Sequence, residues 1–297
     1  MTWLKTLVSL VLGIALATCG TAAATAPAGE VPLPDVPSDI REPQQRADYI
    51  IVHFWDNADS LSAYTPEAVE QAFSNYISVF PLASEAARSE AARSLVNRVA
   101  KSQSEFAVFA DTADKYLYDP ESPIESEDYY ILFLNEIIKS PYLDDAAKVR
   151  PQWILEMAMK NRPGSRAADF SFVTRDGGES TLSAELGKLS GEDSRLLLLF
   201  YDPDCGHCRQ VMNEIIANPR IAVSVSDGVL SVLAVYSGDE KDLWKDTASR
   251  LPETWTVGYD DGTVYDDAIY NIRTLPTLYL IGADGIVLEK EIKELKF

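Results

Sequence analysis

The stretch from Arg195 to Cys208, RLLLLFYDPDCGHC, constrains this chain more than any other. Its apolar run, Leu196 to Phe200, stops at the turn formers Asp202-Pro203-Asp204, which predicts a short strand buried on both faces. Val211, Met212, Ile215 and Ile216 then follow at helical spacing, which predicts a helix over Arg209 to Ala217 with Cys205 at or just before its N-terminus. Unpaired backbone N–H groups and the positive end of the helix dipole favour a thiolate there.

A reactive dithiol is the leading reading of this C-x-x-C pair. A zinc site needs further ligands, and the chain offers only Cys19, His53 and His207 besides the pair, so neither a metal nor a cofactor is expected. A structural disulfide is the alternative. A bridge across two intervening residues closes a tiny loop, however, and gains little chain entropy.

Strand, turn, C-G-H-C and helix together resemble the active-site segment of the thioredoxin superfamily. A second match is Tyr270-Asn271-Ile272-Arg273-Thr274-Leu275-Pro276-Thr277 ahead of the apolar run Leu278 to Ile281. In that superfamily the matching proline is cis and lies against the dithiol, and the resemblance implies the same of Pro276. The separation of the two motifs exceeds that of a minimal thioredoxin. The surplus around Ser237 to Trp255 has room for an extra helix and strand, as in the bacterial envelope thioredoxins of the TlpA/ResA-like branch. Ala168 to Phe172, Asp176-Gly177-Gly178 and Leu182 also resemble that branch.

The resemblance implies that Cys205 attacks a client disulfide and Cys208 resolves the mixed disulfide, with Thr274, Leu275 and Pro276 docking the client. His207 would stabilise negative sulfur by charge or hydrogen bonding, or else be an exposed loop residue. C-G-H-C is also the motif of protein disulfide isomerases, where it accompanies a comparatively oxidising couple. Three departures stand out. Asp204 replaces the tryptophan of those relatives and Asp202 is near, so both carboxylates would repel a thiolate on Cys205. Leu199 stands where thioredoxin has a buried aspartate, which leaves the internal proton acceptor unnamed. Phe297 follows the last predicted strand with no room for a closing helix, so either the helical domain covers that sheet face or the chain is incomplete.

Residues 1–26 read as a targeting segment: Lys5, the apolar run Leu7 to Ala17, then small residues. The apolar core is too short to span a bilayer. Leu16-Ala17-Thr18-Cys19 resembles a bacterial lipobox and implies a lipid anchor on Cys19. Ordinary cleavage within Ala22 to Ala26, discarding Cys19, is the alternative. Either route places the mature protein in the periplasm or cell envelope and leaves Cys205 and Cys208 as the pair. The formal charge of −20 excludes nucleic acid and anionic lipid as main partners. Residues 27–41, rich in proline and acid, read as an extended tether.

The expected architecture is an all-α N-terminal domain over residues 42–160 followed by an α/β thioredoxin-like domain over residues 161–297. Thr65-Pro66 and Ser84 open helices. Apolar periodicity groups Val69, Phe73, Tyr76, Ile77 and Phe80; Leu95, Val96 and Val99; Phe106, Phe109, Ala113 and Leu117; Tyr130, Leu134 and Ile137; and Val149, Trp153 and Met157, with Pro151 expected to break or kink the last helix. The Ser84–Arg88 sequence recurs at Ser89–Arg93, which reads as a solvated helical face. Arg46 to Asn57 resembles the opening of an uncharacterised helical domain that precedes thioredoxin domains in bacterial envelope proteins. Within it, His53, Phe54 and Trp55 are read as packing residues rather than a client groove. Beyond the boundary at Asn161 to Ser165, the pattern predicts a hairpin around Asp176-Gly177-Gly178, a strand over Val229 to Tyr236, a helix over Asp239 to Leu251, a strand over Thr254 to Val257, a helix over Val264 to Ile272 and a closing hairpin across Ala283-Asp284-Gly285. Two functions fit. One is an exported thiol-disulfide oxidoreductase acting on protein thiols or disulfides with a membrane or periplasmic redox partner. The other is an envelope partner-binding lipoprotein whose dithiol is structural.

Overall fold

A computed structural model describes residues 29–293. Residues 1–26, expected to be a targeting segment, and Cys19 within them lie outside the described residues. Among the described residues, six α-helices build the first layer: α1 (Pro43–His53), α2 (Pro66–Val79), α3 (Glu85–Val99), α4 (Gln103–Ala113), α5 (Glu127–Lys139) and α6 (Asp145–Ala158). Side-chain caps start five of them. Thr65, Ser84, Ser102, Ser126 and Asp144 each accept the backbone N–H three residues on, satisfying donors the helix leaves free. The core is aromatic: Phe54, Trp55, Phe73, Tyr76, Phe80, Phe109 and Phe133 are all buried, and Tyr76 meets Phe80 edge-on at 4.9 Å. Phe54 and Trp55 therefore pack as expected, while His53 faces outward and binds Asp56 at 2.7 Å.

Three expectations for this layer need correction. The repeated Ser84–Arg93 segment is not a wholly solvated face, because Ala87, Ala91 and Ala92 are buried where α3 packs on α1 and α5. Helix α6 runs unbroken through Pro151, and its buried stripe is Ile154, Met157 and Ala158. Val149 and Trp153 point to solvent instead, 63% and 53% exposed. Finally, part of the proposed tether is docked. Residues 30–36 form no helix or strand, yet Val31 joins the aromatic core and Asn57 donates to the Leu33 carbonyl.

The second layer is a seven-stranded sheet in the order β2-β1-β5-β4-β3-β6-β7. Its strands are β1 (Ser171–Thr174), β2 (Glu179–Thr181), β3 (Arg195–Phe200), β4 (Leu230–Ser237), β5 (Thr256–Asp260), β6 (Thr277–Gly282) and β7 (Val287–Lys290). Helices α7 (Leu182–Leu186), α8 (Gly206–Ala217), α9 (Pro219–Ser226), α10 (Lys241–Ala248) and the single turn α11 (Thr263–Asp266) complete it. Central β3 runs parallel to β4 and antiparallel to β6. Alternation along β3 explains its unbroken apolar run. Leu197 and Leu199 enter the core under α8, α9 and α10, whereas Leu196, Leu198 and Phe200 enter the opposite core beside Phe170, Tyr270 and Tyr279.

The helix expected over Val264 to Ile272 is reduced to α11. The carbonyls that would continue it bind elsewhere: Ala268 accepts from Lys160, Ile269 from Asn161 at 2.9 Å, and Asn271 from Tyr279. Among the described residues, the apolar cores on both sheet faces are built from residues of the second layer.

The layers are joined by buried polar contacts. Asn161 has left-handed backbone, which asparagine tolerates, and its side chain also accepts the Ala168 N–H at 2.8 Å. Lys290 pairs with Glu127 at 2.9 Å and donates to the Ala158 and Lys160 carbonyls. Burial pushes the Glu127 carboxyl above its ordinary range, with Lys290 opposing. Arg273 pairs with Glu125 at 2.9 Å and with Glu291, donates to the Tyr118 carbonyl and lies 4.9 Å over the Tyr118 ring. Burial disfavours the Arg273 cation, but Glu291 and Glu125 outweigh it. Tyr118 ends a short π-helical turn, Asp114–Tyr118, that continues α4. The loop before β6 is thus fastened to the helical layer.

Candidate active site: a dithiol at a helix mouth

Pairing in the sheet makes the two sequence motifs converge. Phe200, the last residue of β3, lies opposite Thr277, the first of β6. The chain leaving β3 towards Cys205 must therefore meet the chain arriving through Thr274, Leu275 and Pro276. The Leu275–Pro276 bond is cis, as the resemblance implied. Cys205 Sγ lies 3.8 Å from the Leu275 carbonyl oxygen.

Cys205 is the N-cap of α8, and its sulfur accepts the Cys208 N–H at 3.1 Å. A negative sulfur is solvated by that bond and by the dipole of a twelve-residue helix. The preceding turn is held by its own polar groups. Asp202 accepts the Asp204 N–H at 2.7 Å, the Cys205 N–H bonds the Asp202 carbonyl, and Arg209 donates to the Pro203 carbonyl at 3.0 Å. On the β6 side the Thr277 hydroxyl donates to the Thr274 carbonyl.

The two sulfurs differ sharply in access. Cys205 is half-buried and Cys208 has no exposed surface, and both are free thiols. Burial pushes the Cys208 thiol up to about 12; the backbone of Asp202 opposes that rise, and the Cys205 sulfur and the Asp202 carboxylate add to it.

His207 is exposed on the first turn of α8 and, among the described residues, hydrogen-bonds neither sulfur. The hydrogen-bonding role expected of it has no counterpart here. It lines a groove of about 580 Å³ with Val211, Pro276 and Ile292. The exposed Thr274 and the half-buried Leu275 line the cleft that holds Cys205, and the half-buried Pro276 follows them into the groove that His207 lines. Sequence reasoning missed Arg273. It sits inside the second motif and ties that loop to the helical layer, but a lone arginine whose helical-layer partners, Tyr118 and Glu125, lie more than a hundred positions upstream leaves no periodic signal.

Two family models match the chain: Domain of unknown function (DUF5106) over residues 17–161 and Thioredoxin-like domain over residues 182–293. Comparison with curated proteins found no match. Among solved structures, a thioredoxin-like protein from Bacteroides caccae is 33% identical, with 91% of this chain and 96% of that one covered and a TM-score of 0.81. A conserved Bacteroides fragilis protein of unknown function is also 33% identical, with coverages of 44% and 93% and a TM-score of 0.41. A thiol-disulfide oxidoreductase from Bacteroides fragilis is 20% identical, with coverages of 44% and 92% and a TM-score of 0.37. By its likeness across both layers to the Bacteroides caccae protein, this chain belongs to the thioredoxin-like proteins, with a DUF5106 helical domain ahead of the layer that carries the dithiol.

Proposed function

We propose that the protein is an exported thiol-disulfide oxidoreductase that exchanges disulfides with protein clients through Cys205 and Cys208. The observation that carries this reading is the half-buried Cys205 sulfur at a helix mouth, facing the Leu275 carbonyl that leads into the cis Leu275–Pro276 bond. In the reducing direction, the Cys205 thiolate attacks one sulfur of a client disulfide. A mixed disulfide forms and one client thiolate leaves. Cys208, once deprotonated, attacks Cys205 Sγ, closes the Cys205–Cys208 disulfide and expels the second client thiolate. Two electrons pass to the client, and an external dithiol must return them before the next cycle. Run backwards, the same steps oxidise a client dithiol.

Cys205 is the attacking sulfur because it alone of the pair meets solvent, and Cys208 the resolving one because its burial keeps it protonated until attack. Thr274, Leu275 and Pro276 offer the client a backbone edge beside Cys205. The exposed His207 supplies positive charge to the site when protonated. Residues 1–26 direct export to the periplasm or cell envelope, with a lipid anchor on Cys19 as the route favoured by the lipobox-like segment. Cys205→Ser is the test. The full-length variant must lose disulfide exchange with a disulfide-bonded peptide while keeping its far-ultraviolet circular dichroism. Exchange at the wild-type rate would refute the reading and favour a partner-binding protein with a structural dithiol.

A further inference from the structure

The groove beside Cys205 does not end at the dithiol. One cleft of about 550 Å³ contains Cys205 and Leu275, and a second of about 670 Å³ lies between the two layers. They share Tyr265, Ile272, Arg273 and Thr274, so they form one trough. The far wall belongs to the helical layer and includes Trp153. Trp153 and Tyr265 are 53% and 61% exposed, an unusual state for large aromatic rings lining a cleft, and one that a partner would relieve.

Charge along the trough is one-sided. Its cations are already paired: Arg150 with Asp114, Lys115 with Glu70, and Arg273 with Glu125 and Glu291. Asp119, Glu121, Asp202 and Asp204 also line it and, among the described residues, have no cationic partner. A second copy of a chain carrying −20 would be repelled there, whereas a basic segment would be attracted.

Resting on the exchange function proposed above, we infer that this trough binds an extended segment of the client polypeptide in which lysine or arginine and a large apolar side chain flank the reacting cysteine. The apolar side chain lies against Trp153 and Tyr265, the basic ones face the four carboxylates, and the helical layer thereby selects clients for the dithiol.

The test uses full-length protein and a fluorescent, cysteine-free peptide with one tryptophan between lysines, so that binding is read apart from chemistry. Anisotropy should show saturable binding that Trp153→Ala and Tyr265→Ala each weaken about tenfold, the effect of losing one aromatic anchor. Leu82→Ala, an exposed residue of the helical layer outside the trough, should change nothing. Replacing the peptide lysines by glutamates should abolish binding, and salt should weaken the lysine peptide. Equal affinity of wild type and both aromatic variants, or no preference between lysine and glutamate peptides, would overturn the inference. Absence of disulfide exchange by a wild-type protein that still binds the peptide would refute the proposed function instead and leave the trough standing.

Discussion

Arg273 gives the sharpest prediction about how the helical layer and the site are held together. Its side chain is only 7% exposed, and those of Glu125 and Glu291 are 12% and 20% exposed. Arg273→Met keeps the apolar stem but leaves two buried carboxylates and the Tyr118 carbonyl without their cation. Removing one partner of a buried pair costs about 3–5 kcal/mol, because the remaining charge is stranded in a low dielectric. Lys293 still reaches Glu125 at 3.1 Å from a half-exposed position, which argues for the lower end of that range. With a urea slope of roughly 3 kcal/mol per M, the unfolding midpoint should fall by about 1 M. Arg250→Met is the control. It breaks a similar pair with Asp246, but both side chains are about 70% exposed, so the expected change is below about 1 kcal/mol. The triple variant Arg273→Met, Glu125→Gln, Glu291→Gln should recover most of the loss, since no charge then remains buried. Equal midpoints for wild type, Arg273→Met and Arg250→Met would refute the reasoning and mean that other contacts hold the layers together.

Further outcomes follow from the same geometry. Iodoacetamide at pH 8 should label Cys205 and spare Cys208, of which only about one molecule in 10⁴ is thiolate at a value near 12; peptide mapping that finds both labelled at equal rates would contradict the burial argument. Because the folded value of Cys208 lies above the ordinary 9.0, the reduced protein holds this stabilisation below about pH 9 and loses it as the pH climbs towards 12. The stability of wild type relative to Cys208→Ala should therefore decline across that window, and a rise would reverse the sign. At Gly258, a Cβ would fall 2.5 Å from the Phe172 ring, so Gly258→Ala should lower stability by about 1–3 kcal/mol in calorimetry.

What could be read in advance followed local rules. The β3 run, the cap position of Cys205 and the helix starts at Thr65 and Ser84 are set by neighbours within a few residues, so periodicity and turn chemistry expose them. The proximity of Pro276 to Cys205 was legible only through resemblance, since the β3–β6 register that produces it joins distant segments. The failures share a cause in long-range competition. Lys160 and Asn161 capture the carbonyls that would have extended α11, and packing on the neighbouring helices keeps Ile154 and Met157, rather than Val149 and Trp153, on the inner face of α6. Val31 is buried because an aromatic core elsewhere has room for it, which a proline-rich tether does not announce. The fastening of the β6 loop by Arg273 was invisible for the same reason.

The central claim is that Cys205 makes the first bond to the client. Full-length Cys208→Ser, mixed with a disulfide-bonded peptide, should accumulate a covalent adduct that peptide mapping places on Cys205 and that a dithiol releases, and Cys205→Ser should give none. An adduct on Cys208 in the Cys205→Ser protein, or no adduct in Cys208→Ser, would contradict it.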